Sequence, residues 1–504
     1  MPDDQNSFVD TVDSRDELIR QQAEQIRRLE EEIARLKELL EKKADAKAAK
    51  QPKFGDNFSL GRNKKRNPKK KNKPNKKRGR KKHQSKLDRA TEQIDVYPEA
   101  VDREDCKRYR SQFAWRIVDG KAIYVCYHIY DLPDSNQLPL PAGVRNSRSE
   151  YGIEIILILA FLHYWIGVSL DNACAIMEFF TGLQLPKSQA ESLLKQLATD
   201  WDEQYDTIAE LIALQMIVYI DETGWKVGSQ SCYTWVFSTA MHVLYRCGVS
   251  RKKDEATKVL GDDFQGIGVT DDYAAYKSMF TQHQLCWAHL IRKAIKLALQ
   301  HPDEQEYATF LDQLCSIYDD AKELRAAHAA AADAGSAKSS SELEAIITKL
   351  QTRIEALCTR HEEPIIKPKA EANKCDTRKP VQPETPKHVE TFILLQRELM
   401  SNLDCLFVFV EHPDVEPTNN RSERNVRREA EIRKGARTNK TAKGAKRRSV
   451  IVTVLASLQT RLDKFTLRNL LDEVGRWFDA GRSIFEQELQ NLQSTRPPPQ
   501  PEPV

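Results

Sequence analysis

The sequence predicts an α/β core: a sheet with aspartates at its strand ends, and helical regions before, within and after it. Three observations carry this. Between residues 214 and 300, short β-branched and aromatic runs alternate with period two, then give way to alternating helix and strand patterns. Two of those strands end in acids, at Asp221 and Asp271. A long helical stretch then precedes a basic helix, "NNRSERNVRR", whose lone acid Glu423 stands among Arg421, Arg424, Arg427 and Arg428.

The elements follow in chain order. Residues 1–45 are expected to form a coiled coil. Ile19, Ile26, Ile33 and Leu40 fall at position a, and Gln22, Leu29 and Leu36 at position d. Isoleucine at a with leucine at d favours two parallel strands. A single amphipathic helix packed on its own chain satisfies the same pattern. Residues 46–90 are a basic linker, too poor in apolar side chains to fold alone. Its run at 62–82 holds fourteen Lys or Arg and no acid, among them Lys69, Lys70, Lys71, Lys76, Lys77 and Arg78. The formal net charge is only +4, so the rest of the chain is net negative and any polyanion contact is local. Such a run binds phosphate backbones by counterion release without reading sequence. It is equally compatible with a solvated tail or, in a eukaryote, a nuclear-targeting signal.

Residues 91–150 form a small mixed domain whose only cysteines are Cys106 and Cys126, too few for a structural zinc site. None of the ten cysteines forms a CxxC pair, and the spacing suggests no disulfide framework, so a reducing cytosol is expected. No secretory signal is read at the N-terminus. The apolar run 152–168, "GIEIILILAFLHYWIGV", carries Glu154 and His163 and is short for a bilayer, which makes it a buried helix. Residues 151–213 are a helical region in which "SLDNACAIMEFF", "TGLQLP" and "KSQAESLLKQLA" read as helix, turn, helix. That hairpin suits DNA reading or packing alone.

Residues 214–300 are the first part of the core. "QMIVYIDETGW", "CYTWVFSTA" and "HVLYRCGVS" are three antiparallel strands, followed by a short glycine-stopped helix at "KKDEATKVLG". A strand ending at Asp271 and Asp272, a further helix, and "HQLCWAHLIRKAIKLAL", a strand running into a helix, complete the order. That order is the one of a ribonuclease-H-like fold. Residues 301–415 are a helical insertion with a charged, proline-bearing loop. Residues 416–490 return to the core as helix with one break near "RTNKTAKGA", and 491–504 are a disordered tail.

The chemistry rests on Asp221 and Asp271. Carboxylates at the ends of adjacent central strands collect hard divalent cations, which favour oxygen ligands. Two such ions can hold the attacking and leaving oxygens of a phosphoryl displacement, and a third carboxylate is then needed from a helix beside the sheet. Glu423 is the candidate. On its own it also fits position N3 of a capping box with Asn420 as N-cap, or an i,i+4 pair with Arg427. Asp221 alone fits a turn or helix cap, Asp271 fits an Asx cap, and Asp272 could take its place.

Four blocks in order, "YIDETGWKV…YTWVFSTA", "GVTDDYAAYKS", "QLCWAHLIRKA" and "TNNRSERNVRREAEIRK", resemble the bacterial DDE transposases of the insertion-sequence sixty-six family, over roughly 150–475. The resemblance implies a DNA transposase with a ribonuclease-H-like catalytic core and two Mg²⁺ (or Mn²⁺) ions on Asp221, Asp271 and Glu423. Arg424, Arg427 and Arg428 would hold DNA phosphates beside them. Water nicks the element's end, and the freed 3′-hydroxyl then attacks target DNA. The family usually has glycine where this chain has Asp272, which leaves Asp271 as the match. It also commonly carries a cysteine-paired zinc module, here degenerate at Cys106 and Cys126. Cys286 and His289 form a CxxH similar to that of several transposase groups. With no second ligand pair, a structural role near the site is expected and zinc is not. The partners implied are double-stranded DNA, at element ends and target, a homodimer or higher assembly, and small accessory proteins, with no membrane. The place implied is the bacterial cytoplasm, on the nucleoid. The alternative from another class is a DNA-binding protein derived from a transposase that no longer cuts.

Overall fold

The structure is a computed structural model describing residues 83–495 apart from 99–100, 133–138, 147–148, 274, 277–278, 335–338 and 361–385. The coiled coil expected at 1–45 lies outside the described residues. So do most of the basic linker, with Lys69, Lys70, Lys71, Lys76, Lys77 and Arg78, and the tail beyond 495.

The mixed domain is a three-stranded sheet of β1 (Glu92–Val96), β2 (Lys107–Val118) and β3 (Lys121–Asp131) in the order β1-β3-β2. Asp119 and Gly120, both at positive φ, turn the β2–β3 hairpin, which matches the right-handed twist of the paired strands. Cys126 pairs in register with Phe113 and is fully buried, while Cys106 precedes the Lys107–Asp131 pair. Six residues of strand separate the two positions, about 20 Å, so these cysteines do not share a metal.

The apolar run at 152–168 is a buried helix, α1 (Ile153–Ala160), whose last turn widens to a π-helical turn at Phe161–Trp165. No helix among the described residues is long and apolar enough to cross a membrane. The predicted hairpin follows as α2 (Leu170–Thr181) and α3 (Lys187–Asp200), and α4 (Asp202–Ala213) leads into the main sheet. Ser169 caps α2 by accepting from the Asn172 amide, and Gly182 ends it at φ +74°.

The main sheet holds β4 (Ile217–Val227), β5 (Gln230–Ser238), β6 (Val243–Val249), β7 (Ile267–Thr270) and β8 (Gln282–Leu285). Its order is β6-β5-β4-β7-β8, with β4, β5 and β6 antiparallel and β4, β7 and β8 parallel. The glycine-stopped helix is α5 (Asp254–Leu260), and β8 runs into α6 (Trp287–Gln300). One expectation is corrected. The described residues between Asp271 and β8 form turns, not a helix. Tyr276 is fully buried with its hydroxyl on Glu222, and Tyr273 donates to the Arg251 carbonyl at 3.0 Å. Two tyrosines tied to separate parts of the core hold this segment against helical periodicity.

The expected insertion is helical: α7 (Gln305–Asp333), α8 (Ser340–Arg360) and α9 (Lys387–Ser401). It shares one apolar core with β7, β8 and α6. Its last residues cover the β8 edge, where Gln284 donates to the Leu406 carbonyl and accepts from the Phe409 amide. The chain then returns as α10 (Asn420–Lys434), α11 (Ala442–Arg461), α12 (Leu467–Ala480) and α13 (Ile484–Thr495). Breaks at Thr466, which caps α12, and at Gly481, at φ +65°, add to the one read near "RTNKTAKGA". The last helix passes residue 490.

Two devices fix α10 and α11 on the sheet. Ser449, Thr453 and Ser457 form one stripe of α11 at four-residue intervals. Their hydroxyls accept the amides of Cys247, Tyr245 and Val243 on edge strand β6, at 2.9, 2.9 and 3.1 Å. These three edge amides are thus not free to pair with another strand. Glu429 of α10 and Arg448 of α11 form a fully buried bidentate pair at 2.7 and 2.8 Å, and Arg448 also donates to the Tyr164 carbonyl. Helices that carry basic side chains to the surface are therefore locked from beneath.

Candidate active site

Parallel pairing of β4 with β7 ends at Tyr219 and Val269. Two residues further on, the neighbouring strands present Asp221 and Asp271. The sequence placed Asp221 at a strand end, whereas β4 continues past it to Val227, still paired with β5. It stands at an end only with respect to β7. Asp221 Oδ1 accepts from the Glu222 amide at 2.8 Å, and Asp271 Oδ1 from the Tyr273 amide at 3.1 Å. Asp272 accepts instead from Asn402 of the insertion at 3.3 Å, which distinguishes it from Asp271.

Helix α10 begins at Asn420, so Asn420 is its first residue and Asn419 its N-cap. The Asn419 side chain caps nothing. It is fully buried and donates to the Ile220 carbonyl at 2.7 Å, while its amide donates to Cys286 Sγ at 3.1 Å. The start of α10 is thereby tied to the residue before Asp221 and to the start of α6. The capping box read for Asn420 and Glu423 is not formed, because the helix starts one residue earlier than that reading needs. Nor does any ion pair join Glu423 to Arg427 among the described residues. Glu423 Oε1 instead accepts from Arg292 at 2.7 Å and faces His289 Nδ1 at 3.5 Å and the Cys286 thiol at 3.9 Å. Cys286 and His289 therefore sit against Glu423.

Burial, then the charge of Asp271, then those of Glu222 and Glu423, push the Asp221 carboxyl up to about 8. Its field thus includes both other predicted acids. Glu222, which sequence reasoning passed over, is almost wholly buried. Burial raises its carboxyl, opposed by hydrogen bonds from Tyr276 and Arg251. Its adjacency to Asp221 in "DET" was the available signal. Burial also raises the Cys286 thiol and lowers His289, the latter helped by Arg292. A buried carboxylate whose proton affinity is raised by neighbouring acids is unfavourable as an anion until a cation or a proton neutralises it. Asp221, Asp271 and Glu423 supply oxygen donors only, the set that suits Mg²⁺ or Mn²⁺.

Further along α10 the surface is cationic. Arg424 and Arg427 are exposed. The Arg428 guanidinium lies 3.3 Å from the centre of the Trp165 ring, and its Nη1 is buried without a hydrogen-bond partner. Burial pushes that guanidinium's proton affinity down. These three arginines, Arg437 and Trp165 line an open cavity of about 710 Å³. Gly167 forms part of its wall at φ +81°, where a Cβ would come within 2.7 Å of Ile432. Trp165, Arg437 and Arg292 were not singled out from sequence. Nothing local marks them, since each gains its role from a residue more than a hundred positions away.

Residues 148–447 match the family model described as Transposase IS66 family, more than half of the chain. No curated protein matches it.

Proposed function

The chain belongs to the transposase IS66 family, and on that premise we propose that it cuts DNA at the ends of an insertion sequence and joins those ends to new DNA. The observation that supports this reading is that Asp221 and Asp271 follow the paired ends of neighbouring strands β4 and β7, with the start of α10 tied to Ile220 beside them. The sheet order, three antiparallel strands followed by two parallel ones, supports a ribonuclease-H-like core.

Asp221, Asp271 and Glu423 would hold two Mg²⁺ or Mn²⁺ ions, which supply charge stabilisation at the attacking and leaving oxygens of a phosphodiester. The protein does the rest. Asn419 ties the start of α10 to the Ile220 carbonyl, a position from which Glu423 would turn to the strand ends. Arg292 neutralises Glu423 and, being half exposed, can turn to a phosphate when Glu423 turns to a cation. Arg424, Arg427 and Arg428 hold strand phosphates along α10. In the first step a water oxygen attacks phosphorus and the bond to the 3′ oxygen breaks, leaving a 3′-hydroxyl and a 5′-phosphate. In the second, that hydroxyl attacks a target phosphodiester and displaces a target 3′ oxygen. No covalent bond to the protein forms.

Both DNA ends have to be held together, and the heptads at 15–41 are our proposed route to a dimer, with the lysine run at 62–82 adding sequence-independent phosphate contacts. The test is cleavage of a duplex carrying the terminal repeats beside the gene, with Mg²⁺ or Mn²⁺. Wild type cuts. Asp221→Asn loses more than about 100-fold, the upper range for groups that only orient a metal ligand. A chain that binds this duplex with steep salt dependence yet leaves it intact under every cation is a non-cutting DNA-binding derivative, and the proposal fails.

A further inference from the structure

We propose that Cys286, His289 and Glu423 form a second cation site, selective for a thiophilic divalent ion such as Zn²⁺ and competing with the oxygen-liganded site for Glu423. The sequence offers only the CxxH pair, and the fold brings the third ligand from residue 423. Their ligand atoms lie within 4.8 Å of one another. Tetrahedral zinc, with bonds of about 2.0–2.3 Å, needs ligand-to-ligand edges of roughly 3.3–3.5 Å. The Glu423 Oε1 edges are 3.5 Å to His289 Nδ1 and 3.9 Å to Cys286 Sγ, within a few tenths of an ångström of those lengths.

Two further observations point to an ion. His289 Nδ1 is buried and has no hydrogen-bond partner, a donor atom aimed into the cluster with nothing to bind. Cys286, the N-cap of α6, has its sulfur fully inside the protein and receives the Asn419 amide at 3.1 Å. That amide supplies a hydrogen bond to the sulfur of a metal-bound thiolate and opposes the burial that raises the free thiol. On binding, the cation replaces the thiol proton, which leaves to solvent, and takes Glu423 Oε1 from Arg292. That side chain is half exposed, and its Nε keeps the Ala288 carbonyl at 2.9 Å when Glu423 is withdrawn. Thiolate and imidazole select Zn²⁺-like ions, whereas Mg²⁺ needs oxygen, so the two sites differ in cation and share one carboxylate. The existence of the site is independent of the cutting reading. Its consequence, withdrawal of Glu423 from strand cleavage, rests on that reading.

Co²⁺ titrated into the metal-free 504-residue chain, without DNA, tests the site directly. Wild type is expected to show a near-ultraviolet thiolate-to-metal band and the visible absorption of tetrahedral Co²⁺, both removed by Zn²⁺. Cys286→Ser removes the band, which singles out one of ten cysteines. His289→Gln weakens Zn²⁺ affinity more than about 100-fold, and decides the matter if the serine variant does not fold. Absence of the band in wild type, its persistence in Cys286→Ser, or unchanged affinity in His289→Gln overturns the proposal. Since the readout needs neither DNA nor turnover, a chain that fails to cut can still pass, and one that cuts can still fail.

Discussion

Asp221→Asn should stabilise the metal-free protein at neutral pH while removing its response to Mg²⁺. The folded chain holds this carboxyl near 8 against an ordinary value of 3.8. A carboxyl raised in this way keeps its proton in the folded state where the unfolded chain has released it. The stability it contributes is complete below about pH 4 and is lost as pH rises to about 8. At pH 7 the loss amounts to about 4 kcal/mol as an upper bound, from three pH units at 1.36 kcal/mol each. An asparagine leaves its own amide to satisfy, so a net gain of about 1–3 kcal/mol is expected. The assay is the difference in melting temperature between variant and wild type, measured from pH 4 to 9 with and without Mg²⁺. The variant should gain a few degrees at pH 7 and nothing near pH 4. Mg²⁺ should stabilise wild type alone, because a ligand stabilises only the state that binds it. A difference independent of pH, or equal stabilisation of both chains by Mg²⁺, would refute the buried-carboxylate argument.

Three other outcomes follow from the packing. Arg448→Met leaves Glu429 buried and unpaired and should cost about 3–5 kcal/mol in denaturant unfolding, whereas adding Glu429→Leu should recover much of the loss. Thr453→Val deprives the Tyr245 amide of its acceptor. It should cost about 1–3 kcal/mol and speed hydrogen exchange at Tyr245. Arg427→Ala and Arg428→Ala should each weaken duplex binding regardless of base sequence and flatten the salt dependence by about one unit, read by anisotropy titration at several salt concentrations.

Much of the fold was legible because its signals are local. Alternation located β4 to β6, and the glycine after "KVL" ended α5 where expected. The aspartates were found for the same reason, since each follows a buried apolar run. The turns after Asp271 were misread because "DDYAAYKSMF" has helical periodicity, and only the buried Tyr276 and its partner Glu222 override it. The surroundings of Glu423 were misread similarly. Its near neighbours in sequence offered a cap and an arginine, and neither is its partner.

The amino-acid sequence by itself determined most of the order of strands and helices, the family, and a short set of candidate acids. Periodicity and motif spacing are properties of neighbouring residues, and they survive without a fold. Only the tertiary structure set Asp272 against Asn402. It set Glu423 against Arg292, His289 and Cys286, and it stacked Arg428 on Trp165. Those pairings span from 130 to more than 200 positions of chain. Their energy comes from burial and charge shared across distant segments, which no local pattern encodes.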